Sequence, residues 1–275
     1  MRVKLWGTRG SIAVSGPDTI RYGGDTSAVE LRCLGDHLLI LDGGSGIRAL
    51  EVAPETRRVD ILLSHLHMDH VQGLPFFAPL LDPDVEVHVW GPASTTRTLR
   101  QRIARYLSPP LFPVRVRDLA NVSFHDVTPG EFEIDGTKIA ADLISHPGAT
   151  LGYRLTENSS TLAYMPDHEP SMGRPEIPTK PEWTSGFALA EGVDVLIHDA
   201  QYTDEEYESR VGWGHSSTSH LAAFVSMTRP GRLVSFHHDP AHTDDDLDLL
   251  HESLASEIGP ETELVPGTPG LVVDV

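Results

Sequence analysis

The 275-residue chain carries 21 Lys and Arg against 40 Asp and Glu, a formal net charge of −19. That surplus repels long polyanions over most of the surface and disfavours a general nucleic-acid binder. No stretch approaches the ~18 apolar residues that a membrane helix requires, and the opening Met1-Arg2-Val3-Lys4-Leu5-Trp6 reads as a strand rather than a secretion signal, so a soluble cytoplasmic protein is expected. The lone Cys33 has no partner for an internal disulfide and is expected to pack as a small apolar residue. The length suits one domain spanning residues 1–275.

Short apolar runs punctuated by Gly and Asp predict strands at residues 3–6, 28–33, 37–41, 59–63 and 85–90. The Gly43-Gly44-Ser45-Gly46 run after Asp42 lacks the lysine and spacing of a nucleotide loop, and is read as a sharp turn. Behind the run at 59–63 comes Ser64-His65-Leu66-His67-Met68-Asp69-His70. His65 and His67 are two apart, so on extended backbone they project to one side and can pinch an ion. Asp69 and His70 follow where the chain turns and can reach a second ion beside the first. A polar loop rich in histidine is the alternative, but four ligand-type residues in six positions behind a buried strand argue for metal.

A helical pattern at 94–106 carries Arg97, Arg100, Arg102 and Arg105, a candidate source of phosphate recognition, but one read first as a solvated face that offsets an acidic body. A second set of strands is expected at 124–127, 132–134, 138–145, 150–156 and 161–164, with turns at Asp135-Gly136 and Asn158-Ser159-Ser160. Helices follow at 217–227 and 245–258, the latter with Leu247, Leu250, Leu254 and Ile258 on one face. The proline-rich stretches at 109–113 and 169–183 are read as loops over a site. His88, His125, His220 and His251 are left as structural or surface residues.

Further ligand types stand where apolar strands stop: His146 in Ser145-His146-Pro147-Gly148, Asp167 in Met165-Pro166-Asp167-His168, and His237 in Phe236-His237-His238-Asp239. This sorts His65, His67 and His146 to one metal, Asp69, His70 and His237 to another, and leaves Asp167 able to bridge them. His237 is preferred over His238 because it directly ends its strand.

The order HLHMDH, SHPG, MPDHEP and FHHDP resembles the metallo-β-lactamase superfamily and spans nearly the whole chain. Ile197-His198-Asp199-Ala200 with Gly214-His215-Ser216-Ser217 is similar to its ribonuclease Z and cyclic phosphodiesterase branch. The segments Trp6-Gly7-Thr8-Arg9-Gly10-Ser11 and Arg21-Tyr22-Gly23-Gly24-Asp25-Thr26-Ser27 resemble a bacterial subgroup of metal-dependent hydrolases, from which Asp25 and Ala28 depart by standing where Asn and Cys are common. The resemblance implies an α/β protein of four layers, an αββα sandwich of two mixed β-sheets flanked by helices, with the same division of metal ligands.

On this reading two divalent ions, Zn2+ first and Mn2+ or Fe as alternatives, activate a water for attack on a small or cyclic phosphodiester. Asp69, Asp199 and His215 are the candidate catalytic residues, His215 stabilising the transition state or protonating the leaving oxygen, with Asp199 or Asp239 orienting it. Arg9 and Arg21, in the glycine-rich segment after the first strand, are candidates to bind phosphate. No membrane and no long nucleic acid is expected as a partner, and a homodimer is open. A carboxyl-ester or lactone hydrolase on the same metals is the runner-up, favoured if the pocket is apolar and Arg9 and Arg21 point away. A non-catalytic metal-binding protein is the third reading. A di-iron oxidoreductase is disfavoured because that type usually has an acidic residue where His67 stands.

Overall fold

A computed structural model describes residues 1–171, 173–176 and 179–275. Strands run in the order β1 (Arg2–Gly7), β2 (Ala28–Arg32), β3 (Leu38–Leu41), β4 (Arg58–Leu62), β5 (Glu86–Pro92), β6 (Val122–Val127), β7 (Gly130–Ile134), β8 (Thr137–Leu143), β9 (Leu151–Glu157), β10 (Ser160–Met165), β11 (Val195–Asp199), β12 (Arg232–Phe236), β13 (Glu263–Pro266) and β14 (Val272–Asp274). They form two seven-stranded mixed sheets, one ordered β14-β1-β2-β3-β4-β5-β6 and the other β13-β12-β11-β10-β9-β8-β7.

The two sheets face each other across a core that includes Leu5, Leu31, Leu41, Tyr153, Leu155, Tyr164 and Phe236. Helices close the outer faces. Helix α1 (Met68–Val71) begins just beyond β4, and α2 (Leu99–Tyr106) packs Leu99 and Ile103 on the first sheet. On the second sheet lie α3 (Phe187–Ala190), α5 (Thr218–Thr228) and α6 (Asp244–Glu257), with Leu221, Phe224 and Leu254 in the outer core, and the short α4 (Asp204–Tyr207) follows β11 in the chain. This is the four-layer αββα sandwich. Strand β3, the run Leu38-Leu39-Ile40-Leu41, is buried at every position because the core covers one face and helices the other.

Several elements differ from the sequence expectation. The run at 124–127 belongs to the first sheet: β6 extends from Val122 and pairs parallel with β5, with α2 in the crossover between them. Helix α2 begins at Leu99 rather than near 94, because Thr98 and Gln101 form a capping box that satisfies the free amides there. Strands β11, β13 and β14 were not anticipated as elements, the last two being only four and three residues long. The Asp135-Gly136 turn is present with both residues at positive φ, as a tight hairpin between β7 and β8 requires. The loop expected at 169–183 includes Met172, Ile177 and Pro178, which lie outside the described residues.

This topology makes the site. Strands β10, β11 and β12 are parallel neighbours, so their C-terminal ends emerge at one edge of the second sheet. Asp167, Asp199 and His237 stand at those ends, and across from them β4 of the first sheet delivers the 65–70 segment.

Candidate metal centre

Two groups of side chains converge at this edge. His65, His67, His146 and Asp167 offer ligand-type atoms within 4.8 Å of one another, as do Asp69, His70, Asp167 and His237, and Asp167 belongs to both. Asp167 Oδ1 lies 3.0 Å from His70 Nε2 and 3.3 Å from His237 Nε2, while its Oδ2 lies 3.7 Å from His65 Nε2 and 3.6 Å from His146 Nε2. Asp69 Oδ2 faces the same nitrogens of His70 and His237 at 3.1 and 3.2 Å. His238, the alternative to His237, turns away, its Nε2 donating to the carbonyl of Gly267.

Each converging imidazole except that of His67 is held from behind by its other nitrogen. His70 Nδ1 donates to Asp42 Oδ2 at 2.8 Å, His237 Nδ1 to Gln201 Oε1 at 2.8 Å, and His146 Nδ1 to the Gly214 carbonyl at 2.9 Å. His65 Nδ1 donates at 3.0 Å to Ser64 Oγ, which itself donates to Asp42. Such bonds fix the tautomer and aim the opposite nitrogen inward, as in metal sites whose histidines are oriented by outer partners. Gly214 is required in this arrangement: it sits at φ +89°, and a Cβ there would stand 2.4 Å from His146 Nδ1.

The electrostatics suit a cation. Burial pushes the pKa of His65 well below its ordinary value, lowers that of His67, and takes that of His146 down to about 4, so these rings present lone pairs at neutral pH. Burial alone would raise Asp167 and Asp69, but the surrounding imidazoles outweigh it and hold both carboxyls below the usual range. His65 Nε2 is buried with no hydrogen-bond partner among the described residues, and His70 Nε2 and His237 Nε2 face each other at 3.3 Å. Inward-facing nitrogens around a shared carboxylate are the donor set of a dinuclear hard or borderline ion site, and the residues present fit such a group.

His215 adjoins this cluster, its ring centroid 5.0 Å from that of His146 and 5.1 Å from that of His237. Its Nδ1 donates to Asp199 Oδ2 at 2.6 Å, leaving Nε2 as the nitrogen available to a reacting group. Burial opposes a charge on this ring, yet Asp199 outweighs it and raises the pKa. Asp239, the other candidate to orient His215, instead binds the amide of Ala241 and Gln201.

The two arginines expected to meet phosphate are placed otherwise, which corrects that expectation. Arg9 is fully buried, and its guanidinium donates to the carbonyls of Gly23, Asp239 and His242, tying the first loop to the segment after β12. Arg21 is half exposed and pairs with Asp245 and Asp248 on α6 at 2.8 and 2.7 Å. Both are spent on holding loops. From the helix read as a solvated face, by contrast, Arg102 and Arg105 reach a cavity of about 720 Å3 that opens beside His65 and His67.

Asp42, Ser64, Gln201 and Glu169 are the site residues that sequence reasoning missed. The first two had a signal, being polar residues at the ends of β3 and β4 where ligands cluster. Glu169 is buried, accepting from the Tyr207 hydroxyl and from the amides of Gly212 and Gly214, and so pins the loop that carries His215.

The model of the β-lactamase superfamily domain matches residues 37–238, close to three quarters of the chain. The chain belongs to the metallo-β-lactamase superfamily. Within it, a ribonuclease Z of Myxococcus xanthus is 26% identical over 266 residues, covering 81% of this chain and 84% of the relative. The metallo-β-lactamase fold protein YhfI of Bacillus subtilis superposes with a TM-score of 0.72 at 17% identity, covering 99% and 98% of the two chains. The short form of human tRNase Z superposes with a TM-score of 0.68 at 19% identity, covering 100% and 99%. The chain lies in the ribonuclease Z branch of the superfamily and is a metal-dependent hydrolase, on a fold that implies divalent ions. Among the described residues no helix is long and apolar enough to cross a membrane.

Proposed function

We propose that this protein is a dinuclear phosphodiesterase acting on a small or cyclic phosphodiester, with zinc as the first candidate metal and manganese or iron as alternatives. The observation that carries the reading is the sharing of Asp167 between two groups of inward-facing side chains. On this reading His65, His67 and His146 hold one ion, Asp69, His70 and His237 the other, and Asp167 both. When bound, a pair of divalent ions supplies an activated water and polarises the phosphoryl oxygen.

The chain's own residues do the rest. Asp199 fixes the tautomer of His215 and leaves its Nε2 facing the reacting groups, where it protonates the departing alkoxide. Asp42, Gln201 and the Gly214 carbonyl keep the imidazoles aimed without rearrangement. Relatives named ribonuclease Z support phosphodiester chemistry. The net charge of −19 supports a small substrate over an RNA, and a cytoplasmic location is part of the same proposal.

A carboxyl-ester or lactone hydrolase is the second reading, and a specific observation favours it: Arg9 and Arg21 are turned away, and the cavity beside the cluster is walled largely by apolar side chains. Hydrolysis of bis(p-nitrophenyl) phosphate by protein reloaded with zinc or manganese, against Asp69→Ala, separates the two. Metal-dependent turnover lost in the variant supports the phosphodiesterase; two bound metals without turnover moves the assignment to the ester or lactone.

A further inference from the structure

The cavity beside His65 and His67 has a composition that the chemistry at the metals does not call for. Its walls include Leu66, Met68, Tyr106, Leu111 and Pro147, together with Arg102 and Arg105. Leu111 is 69% exposed and Met68 51%, so large apolar side chains stand open to water at the mouth of a polar site. Exposed apolar surface rimming a concavity marks a place that a ligand covers. The wall is also held in shape, since the Tyr106 hydroxyl donates to the Gln72 carbonyl at 2.8 Å.

The two arginines differ. Arg102 is occupied, its guanidinium donating to the Pro92 carbonyl and lying 3.4 Å from Asp126. Arg105, one turn away on α2, has no side-chain hydrogen bond or ion pair among the described residues. In a chain with 40 acidic side chains, an arginine that lines a cavity and pairs with none of them is free to meet an anion from outside. A guanidinium offers planar paired donors that suit a carboxylate or a phosphate alike.

We propose that this cavity receives the part of the substrate remote from the scissile bond, and that it selects an aromatic or alkyl group ending in an anion, with Arg105 as the specificity-determining residue. The assignment rests on the phosphodiesterase reading only for what happens at the metals. The substrate class is then a phosphodiester whose one arm is apolar and carries a second negative charge.

Binding to the full-length, zinc-loaded protein tests this with two phosphonates that are not hydrolysed. One is 4-carboxyphenylphosphonate and the other its neutral counterpart, 4-carbamoylphenylphosphonate, both titrated calorimetrically. The carboxylate is expected to bind about tenfold more tightly, as one charge-assisted pair allows, and Arg105→Ala is expected to bring the ratio to about one. Arg105 is exposed on a helix and alanine favours helix, so the variant folds. Arg100→Ala, exposed on the same helix but away from the cavity wall, is expected to keep the ratio.

Equal affinities in the parent protein, a ratio preserved in Arg105→Ala, or a ratio lost equally in Arg100→Ala would each overturn the assignment. Turnover of bis(p-nitrophenyl) phosphate by the same preparations keeps the two proposals apart. Turnover without the binding ratio removes the cavity assignment alone, whereas the ratio without turnover upholds the cavity and removes the phosphodiesterase.

Discussion

Asp42 Oδ2 accepts the Nδ1 proton of His70 at 2.8 Å, deep in the protein where neither side chain meets solvent. The same carboxylate accepts from the amide and hydroxyl of Ser64 and from the hydroxyl of Tyr164. Four donors hold it in place, so the direction of the His70 ring is set by the frame of both sheets rather than by the ring's own loop.

Replacing Asp42 with Asn should therefore leave the candidate ligands present but one of them poorly aimed. Loss of such an outer partner typically costs about 10- to 100-fold in metal affinity. We expect Asp42→Asn to lower the affinity for the second metal by that factor, read by competition with a chromogenic chelator. An affinity equal to that of the parent protein would mean that Asp42 serves stability alone.

His215 should matter in proportion to how badly the leaving group needs a proton. Its Nδ1 is committed to Asp199 at 2.6 Å, so Nε2 is the only nitrogen left to give one. General acid catalysis contributes about 10²- to 10⁴-fold. His215→Asn is expected to lose about that much kcat on a phosphodiester with an alkyl leaving group, and far less on one with p-nitrophenol, which departs unprotonated. Equal losses on both substrates would place His215 in positioning instead.

Glu169 acts at one remove. It accepts from Gly212 and Gly214, and the carbonyl of Gly214 receives the Nδ1 proton of His146. Glu169→Gln keeps the side-chain length but weakens both backbone bonds, so the loop carrying His215 loosens. The expected outcome is a drop of about tenfold in kcat with KM changed far less, since near-attack geometry is more sensitive than binding to small displacements. An equal change in both constants, or none, would show that the loop is held by other contacts.

What the sequence made legible was the part written in local patterns. The 65–70 segment and the strand-ending His146, Asp167 and His237 announce themselves by residue type and position, and the fold brings them together. Orientation was not legible in this way. Arg9 and Arg21 stand in a segment close to the centre, yet their guanidinia are spent on the carbonyls of Asp239 and His242 and on the acids of α6, partners more than 200 positions away. Arg105, one of four helix arginines that could meet phosphate, reads first as part of a solvated face for the converse reason: a helical pattern reveals which residues share a face but not what the neighbouring loop at 109–113 encloses. Strand β14 escaped because three residues carry too little periodicity, and its pairing with β1 is long-range.

His251 makes a prediction about pH that is independent of the metals. It is buried between Ser235 Oγ, 2.6 Å from Nε2, and the Tyr22 hydroxyl, 3.1 Å from Nδ1, with Asp248 beyond the tyrosine. Burial takes its pKa down to about 4, against 6.5 for an ordinary histidine. The folded state thus binds the proton less readily than the unfolded state. Its contribution is fully present above pH 6.5 and is lost progressively as pH falls toward 4. Between pH 7 and pH 5 the loss should be about 2 kcal/mol. His251→Gln can still accept from Ser235 but does not titrate, so its stability should fall less over the same interval. Denaturant unfolding of both proteins at the two pH values measures the difference, in which the titration of the metal-site groups common to both cancels. Parallel pH dependences would mean that His251 is protonated without cost, and that the tight contact with Ser235 does not constrain it.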